Sequence, residues 1–164
     1  MSLAAFVLHG ALALFLGSHS LGAQTHSAES ARVIATVQRL FDAMAQRDTT
    51  AVRELFLPGT RFVTVSDDSA TASPRFQTDS AFLRMLGGRP QRLLERMWAP
   101  VVQVQGSIAT LWAPYDFHVD GRWSHCGIDT ATLVRAGQGW RIAALVYTVQ
   151  RRGCAPSPLG SVSP

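Results

Sequence analysis

The chain has 164 residues, of which 47% are hydrophobic and 16% charged, with a formal net charge of +4. That balance excludes a disordered chain, and the roughly 140 residues left after a leader are enough for one domain with one core. All fifteen basic residues are Arg and they are scattered, so the basic stripe interleaved with aromatics that marks a nucleic-acid-binding face is missing, and no nucleic-acid partner is expected.

The chain opens with an apolar run, Leu3–Leu16, too short to span a bilayer comfortably and followed by the small residues Gly17, Ser18, Ser20, Gly22 and Ala23. This reads as a signal peptide over residues 1–23, cleaved after Ala23, although no Lys or Arg precedes the apolar run. The expected location is periplasmic or extracellular, with no stable membrane span after cleavage. A single domain is expected over residues 28–154.

Val33, Ile34, Val37, Leu40, Phe41 and Met44 recur at helical spacing and predict an amphipathic helix over Ser30–Arg47. Asp48 is placed to cap a second helix, Thr49–Leu57, which Pro58-Gly59 ends. Thr60–Ser66 alternates and is β-branched, so it predicts a strand. Asp67–Thr78 reads as a loop, and Asp79 as the cap of a short helix, Ser80–Leu86, stopped by Gly87-Gly88.

From Arg92 the pattern is an antiparallel meander. Arg92–Gln105 reads as one long strand bulged at Pro100, followed by Ile108–Val119, Arg122–Arg135 and Trp140–Gln150. Asp120-Gly121 is a two-residue hairpin signal, because both turn residues need positive φ. The segment after Cys154 holds three Pro and three Ser, and a disordered tail is expected over residues 155–164. Helices first and a curved sheet after them make an α+β domain.

With Val119 opposite Arg122, an unbroken hairpin places His118 opposite Trp123, Asp116 opposite His125, and Trp112 opposite Asp129. These six residues then share one face, and Tyr115, Phe117, Cys126, Ile128, Leu145 and Tyr147 share the other. A single bulge would redistribute both sets. In this register Asp116 fixes the His125 tautomer and leaves the other ring nitrogen for proton transfer, with Asp129 as a second acid of raised pKa. The plainer reading is a structural hydrogen-bonded pair. Trp112, Trp123 and His118 complete the candidate ligand-binding wall.

Cys126 and Cys154 are the only cysteines; a tail folding back bridges them, or they remain separate thiols. No C-x-x-C, P-loop, dinucleotide fingerprint or G-x-S-x-G is present, so no metal or cofactor is expected.

The order helix–helix–strand–short helix–meander, with its D-G and G-x-G-W-R-I turns, resembles the NTF2-like superfamily of ketosteroid isomerases and SnoaL cyclases. The run W-A-P-Y-D-F-H-V-D-G…S-H-C-G-I-D…G-W-R-I…Y-T resembles most closely a bacterial group that carries a lumazine-binding label. The resemblance implies a cone, a curved antiparallel sheet wrapped around helices, with a pocket on its concave side and dimerisation through its convex side. It implies a small-ligand-binding protein. An isomerase-like enzyme using a His125–Asp116 dyad and a scaffold or dimerisation module without ligand are the alternatives.

Overall fold

The structure is a computed structural model that describes residues 20–68, 71, 73–88 and 90–162. The apolar run Leu3–Leu16, and with it nearly all of the expected leader, lies outside the described residues. Among the described residues no helix is long and apolar enough to cross a membrane.

Helix α1 (Ser20–Gln46) extends the expected helix toward the N-terminus through the polar junction. Its stripe of Val33, Val37, Leu40, Phe41 and Met44 is buried against the sheet. Glu29 accepts from Arg135 Nη2 and, at 3.0 Å, from Trp140 Nε1, which ties α1 to the far end of the sheet. Asp48 Oδ1 accepts from Thr50 N at 3.0 Å and Ala51 N at 2.9 Å, capping helix α2 (Thr49–Leu55) as its sequence predicts.

Strand β1 (Phe56–Ser66) starts earlier than expected, and its pairing is interrupted between Phe56 and Arg61, where Gly59 takes a φ of 85°. The predicted loop contains a short strand, β2 (Arg75–Thr78), paired antiparallel with β1. Helix α3 (Asp79–Gly87) is capped by the Thr78 hydroxyl rather than by Asp79, whose Oδ2 instead accepts from Gly59 N at 3.0 Å.

The expected long strand is two, β3 (Leu93–Met97) and β4 (Val101–Gln105), because Ala99 takes a φ of 44° ahead of Pro100. Both pair antiparallel with β5 (Ile108–Val119). Strands β6 (Arg122–Ala136) and β7 (Gly139–Val149) complete the meander. The sheet order is β2-β1-β7-β6-β5-β3, with β4 also on β5. One pairing, β1 with β7, is parallel, so the curved, unclosed sheet is mixed. The helices fill its concave side, where Leu40 and Phe41 share a core with Leu111, Leu133 and Ile142.

Cys126 and Cys154 are joined by a disulfide across 28 residues of sequence, with Cα atoms 6.1 Å apart. Where composition suggested a disordered tail, residues 154–162 lie back across the convex face, and Arg96 Nη2 donates to Gly160 O at 3.0 Å. A cross-link over a loop of this size stabilises by about 3.5 kcal/mol, mainly by restricting the unfolded chain. The Cys126→Ser/Cys154→Ser double variant is therefore expected to lose about that much in urea unfolding. An unchanged midpoint would show that the bond does not restrain the tail.

Candidate functional site

The β5–β6 hairpin decides where every candidate residue points. Its turn forms as expected, with Asp120 at φ 52° and Gly121 at φ 75°, and Val119 pairs with Arg122 and His118 with Trp123. Ser124 is then an extra residue on β6, a bulge that moves the register by one: Phe117 pairs with His125, Asp116 with Cys126, Tyr115 with Gly127, and Ala113 with Asp129. Because side chains alternate, that single residue splits the expected wall in two.

Asp116, His118, Trp112 and Trp123 stay on the convex face. There Arg96 clamps Asp116 through Nε–Oδ1 at 2.9 Å and Nη2–Oδ2 at 2.6 Å. Burial pulls the Asp116 carboxyl upward, but hydrogen bonds from Arg96 and Ser157 and the Arg96 charge outweigh it, leaving its pKa below the usual value. His118 Nε2 stands 3.4 Å from Asp116 Oδ1, yet both buried ring nitrogens lack hydrogen-bond partners. The tail roofs Asp116 and His118, leaving a cleft of about 660 Å³ between it and the sheet that Trp123 also lines. The Asp116–His125 dyad is thus corrected: the two residues point to opposite sides of the sheet, and Asp116 is held by Arg96.

His125 and Asp129 face the concave side, and so do Tyr115 and Tyr147, which an unbroken register puts on the other face. Glu95 joins them from β3, opposite Phe117. Asp129 is only 2% exposed and lies opposite Tyr147 on β7. The Glu95 and Asp129 carboxyls are neighbours, each acting on the other's protonation. Burial pushes Asp129 up to about 7, against the lowering effect of the neighbouring Glu95. Burial and the neighbouring Asp129 raise Glu95 well above the carboxylate range. The pair therefore holds a proton near neutrality. Asp129 Oδ2 has no hydrogen-bond partner.

The surroundings are aromatic. His125 stacks on Phe117 with ring centroids 4.9 Å apart and meets Tyr115 edge-on at 5.7 Å. Burial, followed by the Arg151 charge, lowers His125 to about 4, so it is neutral at physiological pH. The Tyr115 hydroxyl donates to Thr148 O at 2.7 Å, reaching past β6 to β7. Gly127 is what permits this. A Cβ there would stand 2.2 Å from Thr148 O and 2.8 Å from Tyr115 Cε1. Tyr147 lies beside its register partner Thr64 on β1, which acts to lower its pKa against the stronger effect of burial.

Glu95, Met97, Phe117, His125, Tyr147 and Thr64 are each partly exposed, whereas the inward residues farther along the strands, Ala109, Leu111, Ala131 and Leu133, are buried. Water therefore reaches the concave face at this end, and Asp129 and Tyr115 form its floor. Register reasoning missed Glu95, Tyr115 and Tyr147 as site residues. The available signal was Gly127, a glycine within a long strand, which marks a close backbone approach. Among the described residues no group of three or more His, Cys, Asp or Glu is arranged to hold a metal ion.

No known family's sequence profile matches the chain, and no curated protein sequence matches it. Solved structures do. An NTF2-like protein with a cystatin-like fold from Novosphingobium aromaticivorans superposes with a TM-score of 0.62 at 16% identity, over 82% of this chain and 90% of that one. An NTF2-like protein of unknown function from Silicibacter pomeroyi gives 0.56 at 22% identity, over 75% and 97%. An NTF2-like superfamily protein from Salmonella enterica serovar Typhimurium gives 0.60 at 17% identity, over 80% and 98%. At these identities the likeness is one of fold.

Proposed function

Since this chain has the NTF2-like fold, we propose that it is an exported protein that binds a small, partly apolar ligand at the open concave end of its sheet. The observation that carries this reading is the Glu95–Asp129 acid pair on the concave face, which the partly exposed Met97, Phe117, His125 and Tyr147 share. An apolar wall with a few convergent polar groups and perturbed pKa values is the usual character of a ligand site. Export is supported by the apolar run Leu3–Leu16 and by the Cys126–Cys154 bond, which persists in oxidising compartments.

A thermal-shift screen of small molecules on wild type, Asp129→Asn and Ile108→Ser tests the site. A ligand at one hundred times its Kd stabilises by roughly 2.7 kcal/mol. Stabilisation that vanishes in Asp129→Asn and persists in Ile108→Ser, on the exposed convex face, is expected. Hits equally strong in both variants count against the concave site.

A second reading, proton transfer by the acid pair, is favoured by one observation: Asp129 titrates near 7, where a general acid–base is most effective. The convex face suits a homodimer. Val101, Trp112, Thr130, Val146, Val63 and Phe76 are in register as one row across β4, β5, β6, β7, β1 and β2. Phe76 is 79% exposed, Val101 57%, Trp112 45% and Val146 41%, an exposed apolar row interrupted at Thr130. A dimeric mass in solution, reduced to monomer by Trp112→Arg, is the expected result.

A further inference from the structure

We infer that the Cys126–Cys154 disulfide is a redox latch: a dithiol reductant that opens it frees residues 154–162 from the convex face and uncovers Asp116 and His118. The latch lies on the convex side and acts independently of any ligand at the concave end.

The tail has few holds besides that bond. Cys154, Ser157 and Val162 are its partly buried residues, and the six others between Ala155 and Ser161 are exposed. To the sheet it presents Gly160 O, which accepts from Arg96 Nη2 at 3.0 Å, and Ser157 beside Asp116. Its turn is closed locally, by Gly160 N donating to Ser157 O and Leu159 N to Ser157 Oγ, each at 3.2 Å. A segment that buries so little apolar surface and makes so few bonds to the sheet belongs to the low-stability end of a fold.

What the tail covers favours its release. Asp116 is 3% exposed and His118 5%. Arg96 satisfies Asp116, but His118 Nδ1 and Nε2 are buried without partners. Imidazole nitrogens cut off from water in this way destabilise the closed arrangement, and lifting the tail returns them to water. The covalent bond offsets that cost, so it biases a two-state element: closed while the bond is intact, open once it is broken. Cys126 and Cys154 both line the cleft of about 660 Å³ and are both partly exposed, so a thiolate has a path to the sulfurs. The reductant's thiolate attacks one sulfur and displaces the other, forming a mixed disulfide that the reductant's second thiolate resolves. The dithiol is oxidised to its disulfide, and Cys126 and Cys154 each take up one proton as thiols.

Diethylpyrocarbonate, which acylates accessible imidazoles, reads the latch in the full chain. It is applied to the oxidised protein, to the protein reduced with dithiothreitol, and to Cys154→Ser. Peptide mass mapping follows His118 beneath the tail and His125 on the concave face, the second as a reference for the sheet. On reduction, and in Cys154→Ser, His118 is expected to react at least about tenfold faster while His125 changes by less than about twofold. Reoxidation with glutathione disulfide returns His118 to its protected rate. Reduction requires no substitution, so the result does not depend on the folding of the variant. If His118 stays protected without the bond, or already reacts freely with it, the tail is not latched and the inference is overturned. If His118 and His125 accelerate together, the bond holds the whole sheet rather than the tail, and the inference is likewise overturned.

Discussion

Gly127→Ala is expected to cost about 3 kcal/mol or more, because a Cβ there makes the tightest approach found at any of the described glycines. The added Cβ would lie 2.2 Å from Thr148 O and 2.9 Å from Thr148 C, and those are backbone atoms of a strand in the middle of the sheet. Relief therefore requires β6 and β7 to separate locally, or Tyr115 to leave its bond to Thr148 O. Either movement disturbs the floor of the concave site. Gly139→Ala is the matched control: it begins β7, and nothing lies within 4 Å of a Cβ there. Urea unfolding of the two variants measures the difference, and equal midpoints would falsify the proposed close approach of Tyr115 to β7 across Gly127.

The second large effect is a dependence on pH. Asp129 has its pKa raised in the folded state from 3.8 to about 7, so the native protein binds more protons than the unfolded chain between those limits. The stabilisation from its protonated form is complete below about 4 and is lost as pH rises through about 7. The raised Glu95 acts in the same direction. His125, lowered from 6.5 to about 4, acts oppositely, because its neutral native form gains stability as pH rises through the same window. Wild-type stability alone thus mixes opposing slopes, and the difference between wild type and Asp129→Asn separates them. Asp129→Asn should gain on wild type between pH 4 and pH 8 by up to about 4 kcal/mol, the upper bound set by the size of the shift. Parallel stability curves for the two proteins over that range would contradict a buried, protonated Asp129.

The fold was legible in the sequence because its signals are local. The α1 stripe, the Asp48 cap and the Asp120-Gly121 turn each depend on residues within a few positions, and each forms as read. The α+β cone is likewise as expected, with one parallel pairing that no local pattern announces. The candidate site was legible only in part. His125 and Asp129 do share a face, and Asp129 does have a raised pKa. Asp116, His118, Trp112 and Trp123 do not join them, because the bulge at Ser124 exchanges the faces of everything beyond it. A bulge leaves little mark in composition. Glu95 was hidden for a related reason: its parity depends on how β3 and β4 break at Ala99-Pro100, which sets the pairing of β3 with β5.

The bulge also gives the two faces different chemistry. On the convex side a carboxylate is satisfied by a bidentate Arg and roofed by the disulfide-anchored tail. On the concave side two carboxyls lie together with raised pKa values, beside partly exposed aromatic rings. A compensated charge holds structure together, whereas an uncompensated one is poised to meet a ligand.

The most direct test is a crystal structure of the protein purified from its native host. Ligand density between Glu95, Asp129, Phe117 and Tyr147 is the result this account predicts. Density beneath the tail against Arg96 and His118, with the concave end closed by its own side chains, would contradict it.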